Sequence, residues 1–157
     1  MVLSSAYFIL IRVERLIHMD IAQKLRSEGF KVTPQRIAIY QVLYGQNEHP
    51  TAEMIYQSLR NEHPTMSLAT VYKTMEIFEK IGLVKVLDIG DECSRYDWDT
   101  HNHPHLRCTV CNRVDDLDGM EMEDMFHEVE MLSQYKVTGQ QITFEGVCPD
   151  CQRKDAH

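Results

Sequence analysis

The sequence predicts an α+β protein, with a helical N-terminal half closed by a strand pair in the winged-helix manner and a smaller α/β half behind it. Three observations carry this. Apolar residues recur at helical spacing in four segments ahead of Gly82, each bounded by a capping residue, a glycine or a proline. A short alternating strand pair follows. Two CxxC pairs, Cys108-Thr109-Val110-Cys111 and Cys148-Pro149-Asp150-Cys151, then bracket most of the remainder. Four thiolates in two such turns fill the tetrahedral shell of a structural zinc ion and leave no open position for a substrate.

From about Asp20 to Phe30, Ile21, Ala22 and Leu25 form a helical stripe, and Gly29 ends the turn. Thr33-Pro34 reads as an N-cap with proline at the first helical position, opening a second helix whose stripe is Ile37, Tyr40, Val42, Leu43 and Tyr44. Thr51 caps a third helix with Met54, Ile55, Tyr56 and Leu59 inward, and Pro64 breaks the chain after it. Ser67 caps a fourth, with Leu68, Val71, Met75 and Phe78 on its buried face and Ser67, Ala69, Thr70, Lys73, Thr74 and Lys80 outward. Gly82 stops it. Leu83–Leu87 and Ser94–Trp98 are the strands of a hairpin turning at Gly90-Asp91. In a winged helix the helix after the short turn enters the major groove of DNA. A helical bundle that binds another protein is the alternative.

Behind the hairpin, strand-like pieces at Leu106–Thr109 and Arg113–Leu117 flank the first CxxC. An acidic helix at about Gly119–Leu132 has the stripe Met122, Met125, Phe126, Val129 and Leu132, and Tyr135–Thr138 with Gln141–Val147 reads as a hairpin around Gly139. The expected division is an N-terminal extension over 1–18, a DNA-binding domain over 19–90 and a metal-binding domain over 91–157.

Composition bounds the function. The 157 residues carry a net charge of −8, which argues against a nucleic-acid partner until the distribution is considered. Residues 1–86 hold ten basic against eight acidic residues, and residues 87–157 hold six against sixteen. Phosphate binding therefore belongs to the first half and cation binding to the second. No apolar run approaches the roughly 20 residues that span a bilayer, and Ala6–Ile11 is too short and wrongly flanked for a secretory signal. That stretch packs on a partner, or lies upstream of a true start at Met19. Five cysteines without an export signal point to the cytoplasm, where paired thiols more often hold metal than form disulfides. Cys93 is left as a free thiol.

A second ligand set of different chemistry precedes the first CxxC: Asp97, His101, His103 and His105. The i, i+2 spacing of His103 and His105 puts both on one side of an extended segment, and His101 could join them. Neutral imidazoles with carboxylates suit Fe(II), Mn(II), Zn(II) or Ni(II), and ligand type alone does not choose among them.

Thr33-Pro34-Gln35-Arg36, His49-Pro50-Thr51-Ala52, Ala69-Thr70-Val71-Tyr72, Ser94-Arg95-Tyr96-Asp97, His103-Pro104-His105 and the two CxxC pairs occur in this order. On these motifs, from about Asp20 to Lys154, the chain resembles the ferric uptake regulator (Fur) superfamily, and most of all its peroxide-sensing (PerR) branch. Residues 1–18 have no counterpart in the family pattern. The resemblance implies a homodimeric winged-helix repressor, not an enzyme, dimerising through its C-terminal domain and holding a regulatory metal between domains. It implies His49, Asp97, His103, His105 and Asp116 as regulatory ligands, with counting from Cys111 favouring Asp116 over Asp115. It further implies His49 and His103 as oxidation targets under Fe(II), with Mn(II) as the unreactive substitute, and Cys108, Cys111, Cys148 and Cys151 as zinc ligands. Arg36, Ser67, Thr70, Tyr72 and Lys73 would meet a palindromic, A/T-rich duplex.

Two departures from the wider family bear on the branch. Iron-responsive members often have Glu where this chain has Asp97 and Asp116, whereas peroxide sensors use Asp. A third metal site of some relatives needs ligands where this chain has Asn102 and Pro104, so that site is expected to be absent. Iron-responsive repression, zinc or manganese sensing, and a zinc-stabilised interaction module that binds no DNA are the alternatives.

Overall fold

Local capping decides where the helices of the N-terminal half begin and end. The computed structural model describes residues 21–44, 49–88, 94–117, 119–120 and 123–155. The apolar stretch at 6–11, Met19, the Gly90-Asp91 turn, Cys93, Met122 and the Phe126 side chain lie outside them. Helix α1 covers described residues 21–27. Gly29, at φ 78°, ends it, with the Phe30 N–H donating to the Leu25 carbonyl at 2.8 Å. That is a left-handed stop for which glycine has no steric penalty. Helix α2, Pro34–Leu43, starts at Thr33, whose side chain accepts from the Arg36 N–H. Helix α3 is Ala52–Leu59. Helix α4, Leu68–Lys80, is capped by Ser67, which accepts from the Thr70 N–H, and ends at Gly82 with φ 70°.

These helices enclose one apolar core. Ile21, Leu25, Ile39, Leu43, Ile55, Val71, Met75 and Phe78 are all fully buried. The Tyr40 ring meets Phe78 edge-on, with centroids 5.9 Å apart, the geometry favoured by ring quadrupoles. The expected stripes need three corrections. Ala38 and Ile39, not Tyr44, carry the buried face of α2. Met54 is exposed, and Ala52 takes its place on α3. Thr74 is buried rather than outward, because its Oγ1 donates to the Thr70 carbonyl at 2.8 Å and so satisfies itself inside the helix.

The chain divides into two compact units, one comprising Met1–Tyr44 and Ala52–Leu83, the other Gly45–Thr51 and Val84–His157. Strands β1 (Lys85–Leu87) and β2 (Arg95–Asp97) pair antiparallel with Val86 opposite Tyr96. The second sheet has the order β4-β3-β5. Its central strand β3 (His105–Cys108) runs antiparallel to β4 (Val114–Asp116) and parallel to β5 (Thr143–Gly146). Helix α5, Glu123–Ser133, lies in sequence between β4 and β5, giving the parallel pair the long crossover it requires.

The expected hairpin around Gly139 does not form. Residues 135–138 belong to no strand, Tyr135 is 77% exposed, and the Val137 N–H donates to the Glu130 carboxylate of α5 at 2.8 Å. That backbone donor is satisfied by a side chain, and no apolar face is buried to hold a strand. The described residues of the α5 stripe are likewise exposed in the single chain, with Met125, Val129 and Leu132 at 41%, 46% and 80% exposure. A final helix, α6 (Pro149–Asp155), was not expected. Among the described residues no helix is long and apolar enough to cross a membrane.

Phe78 is fully buried with the Tyr40 ring edge-on against it, so Phe78→Ala should cost the helical unit about 3–5 kcal/mol. Urea unfolding followed by circular dichroism checks this, with the midpoint expected to fall.

Candidate metal centres

Strand β3 positions two ligand clusters, one at each end. At its C-terminal end, Cys108 opens a tight turn in which the Asn112 N–H donates back to the Cys108 carbonyl at 2.9 Å. Asn112 takes φ 58° to close that turn, a region asparagine tolerates better than most residues. The second pair arrives because Cys108 is in register with Gly146 on β5, two residues before Cys148. Cys148 then precedes Pro149, the first residue of α6, and Cys151 lies within the helix. Its Pro149 start, acidic Asp150 in the first turn and basic Arg153 and Lys154 in the last suit the helix dipole.

The four sulfurs lie within 4.8 Å of one another, and Cys111 Sγ is 3.8 Å from Cys148 Sγ. Bonds of 2.3 Å to a tetrahedral zinc would separate the sulfurs by about 3.8 Å. The Cys148 N–H donates to Cys108 Sγ at 3.3 Å. That bond and the neighbouring backbone N–H groups push the Cys108 thiol down to about 6, while hydrogen bonding, first of all with Cys148, pushes Cys151 up to about 12. A cation bound by the tetrad takes the place of the thiol protons.

The cluster at the other end of β3 has nitrogen and oxygen donors. His105 is opposite Asp116 in the β3–β4 register, and Asp97 ends β2. The ligand atoms of His49, Asp97, His103 and His105 lie within 4.8 Å of one another. Asp116 Oδ1 lies 2.9 Å from His49 Nε2, 3.0 Å from His103 Nε2 and 3.6 Å from His105 Nε2. Asp97 Oδ2 is 3.4 Å from both His103 Nε2 and His105 Nε2. Asp115 takes no part, because strand alternation turns it away to accept from Arg113 Nε at 2.9 Å. His101 also stays out: its ring is 93% exposed and pairs with Asp99 at 2.7 Å.

His49 is held from several sides. Its Nδ1 faces the Val114 carbonyl at 3.3 Å, Arg95 donates to its own carbonyl at 2.9 Å, and the Tyr96 N–H donates to the Pro50 carbonyl at 3.1 Å. All five side chains belong to the second unit, because Gly45–Thr51 groups there and not with the helices that precede and follow it. His49, Asp97 and His105 are buried, and despite these close approaches His49 Nε2, Asp97 Oδ2 and both ring nitrogens of His105 make no hydrogen bond of acceptable geometry. Buried polar atoms without partners are rare and destabilising, and here they converge on one point. Burial lowers the His49 pKa and keeps the ring neutral, the form that donates a lone pair. Two carboxylates among three imidazoles match the charge and donor preference of a divalent transition metal. The residues present fit such an ion.

The residues expected at DNA sit on the helical unit. Tyr72 and Lys73 are exposed on α4, and the Tyr72 hydroxyl donates to the Glu53 carboxylate. Ser67 and Thr70 spend their hydroxyls on each other at 2.9 Å as part of the cap. An Arg36 Nη donates to the Lys31 carbonyl. Neither Glu53 nor the supporting role of Arg95 was legible beforehand, since both depend on contacts between segments distant in sequence.

The family model described as the ferric uptake regulator family matches residues 27–145. The peroxide-responsive repressor PerR of Staphylococcus saprophyticus is 38% identical over 135 residues, covering 86% of this chain and 91% of the relative. Among solved structures, the ferric uptake regulator Fur of Helicobacter pylori, described as having three functional metal-binding sites, superposes with a TM-score of 0.75 at 25% identity over 88% of this chain and 93% of that one. The Campylobacter jejuni peroxide stress regulator gives a TM-score of 0.66 at 25% identity, covering 87% and 98%. With the family model spanning most of its length and its motifs assembled into two metal-ligand clusters, the chain belongs to the ferric uptake regulator family.

Proposed function

We propose that the protein is a cytoplasmic, homodimeric, metal-dependent transcriptional repressor that senses peroxide through oxidation of its own histidine ligands. The observation that carries this is the convergence of His49, Asp97, His103, His105 and Asp116, with their buried unpartnered atoms. The aspartates at 97 and 116 and the 38% identity to a peroxide-responsive repressor favour peroxide over iron as the signal. The sulfur tetrad is the structural zinc site, apart from the sensing chemistry. Fe(II) at the five-residue site would supply reduction of peroxide beside the imidazoles, and Mn(II) would supply charge and geometry without it.

The residues' parts follow from their placement. Asp97 and Asp116 neutralise a dication in a buried pocket. His103, with 16% of its side chain exposed against 2% for His49 and 4% for His105, is the ring that a small oxidant meets first. An imidazole that has gained oxygen is a poorer donor, so His49 or His103 would release the ion once oxidised. His49 stands three residues ahead of Ala52, where the chain enters the helical unit. Metal and operator then favour one conformation and strengthen each other's binding. On the DNA side, α4 would lie in the major groove with Tyr72 against thymine methyls, while Ser67, Thr70, Lys73 and Arg36 meet phosphates or base edges. The uncovered apolar residues of α5 support dimerisation through the second unit, and a two-fold dimer calls for a palindromic operator.

Four experiments test the parts separately. Cys148→Ser should lose zinc and unfold the second unit, since such sites supply on the order of 10–16 kcal/mol in small domains; metal analysis and near-ultraviolet circular dichroism read this. His49→Ala should keep zinc but lose Mn(II)-stimulated duplex binding, and Tyr72→Ala should lose duplex binding with both metals retained. Mass spectrometry of the Fe(II)-loaded chain after dilute peroxide should find one added oxygen on His49 or His103. Iron-dependent DNA binding without that adduct would favour iron-responsive repression instead.

A further inference from the structure

The side chain of Arg95 joins the two candidate metal centres. Its Nη1 donates to the His49 carbonyl at 2.9 Å, and its Nη2 donates to the Asn112 carbonyl at 2.7 Å. Asn112 directly follows Cys111, and its placement is fixed by the first cysteine turn. Its N–H donates to the Cys108 carbonyl at 2.9 Å, its φ is 58°, and its Oδ1 accepts from Arg107 at 3.3 Å. The same guanidinium therefore grips a carbonyl set by the sulfur tetrad and the carbonyl of a ligand in the nitrogen–oxygen site.

The backbone around Arg95 strengthens the link. Arg95 forms a β-bridge with Thr51, and the next residue's N–H binds the Pro50 carbonyl at 3.1 Å. The segment 49–51 is thus laid along β2 and then clamped at its start by the Arg95 side chain. Arg95 Nε is buried and without a hydrogen-bond partner, so the guanidinium is aimed by its two Nη groups. A planar fork can span two carbonyls at a fixed separation, which a lysine ammonium on a flexible stem cannot do.

We propose that Arg95 is a positioning residue that transmits the geometry of the zinc-organised cysteine turn to His49, so that the nitrogen–oxygen site reaches full affinity only on an ordered tetrad. This rests on His49 being a ligand of that site. Residues that orient ligands from behind typically change metal affinity by about 10–100-fold when altered. Arg95 has the connections for such a role without touching the ion.

The test uses the full, zinc-loaded chain and Mn(II) as the probe in calorimetric titration. Arg95→Lys should weaken Mn(II) binding by about tenfold while zinc content and thermal midpoint match the unaltered chain. In a His49→Ala background the same change should move affinity by less than about twofold, since its route to the ion is gone. No weakening, or equal weakening in both backgrounds, overturns the proposal. A second pair of variants decides the matter if Arg95→Lys does not fold or His49→Ala binds no Mn(II). Asn112→Gly and Asn112→Ala both delete Oδ1, but only alanine strains the left-handed backbone that aims the carbonyl. Alanine should weaken Mn(II) binding about fivefold more than glycine, and equal effects overturn the link. If the unaltered chain binds no Mn(II), the ligand assignment itself fails, a result distinct from loss of the Arg95 effect alone.

Discussion

Both ligand clusters depend on the register of a single four-residue strand. β3 begins at His105 and ends at Cys108, so its ends are separated by roughly 10 Å. Antiparallel pairing with β4 places Asp116 beside His105, and parallel pairing with β5 places Gly146 beside Cys108. A slip of one residue on either side would turn the wrong aspartate inward or carry the second cysteine pair away. The Cys108 N–H to Arg113 carbonyl bond and the Thr109 N–H to Gly146 carbonyl bond, both 2.8 Å, hold the register beyond the strand end. The sulfur tetrad therefore does more than tie two turns together. It fixes the strand on whose other end the histidines and aspartates converge.

Placed so near each other, the two clusters are chemically opposite. Four sulfurs close a tetrahedron and leave a bound ion without an open position. Three imidazoles and two carboxylates would make a site of intermediate hardness, a donor set that suits several metals. Its buried carboxylates and rings lack enough hydrogen bonds among themselves, and Asp97 in particular is 1% exposed with one oxygen making no hydrogen bond. Burying such groups is favourable only if a cation compensates the desolvation. On the proposed reading, the stability of this corner of the fold is lent by the ion, and that dependence is what makes it a sensor.

What the sequence made legible divides along the same line between local and distant interactions. Thr33, Ser67, Gly29 and Gly82 act through atoms within a few residues, and each caps or stops a helix where expected. The α+β class and both hairpin strands were readable for the same reason. The buried side of a helix was less so, because periodicity finds a stripe without saying what covers it. Thr74 looks polar and is buried by bonding its own backbone, while Met125, Val129 and Leu132 look like core and are exposed in the single chain. Tyr135–Thr138 has a strand pattern but no neighbour, and Glu130 takes its backbone donor. In the site, His103 and His105 announced themselves by spacing. His49 and Asp116 are marked only by the family motifs, and Arg95 acts through contacts between distant segments that no local pattern encodes.

The position of His49 explains how a small chemical change could have a large consequence. Its segment packs with the second unit, yet the chain leaves it at Thr51 and becomes α3 at Ala52. Ala52 and Ile55, on the first turn of that helix, are buried in the core that also holds Val71, Met75 and Phe78 of α4. A rigid core of that kind transmits displacement rather than absorbing it. On the proposed reading, holding or releasing His49 would act on the segment that runs directly into α3. The basic balance of the first half and the acidic balance of the second make the two units suited to different partners, a polyanion and a cation. If both partners favour the same anchoring of α3, reciprocity requires each to strengthen the other. On that reading no contact between metal and DNA is needed, only a ligand in the segment that leads into α3.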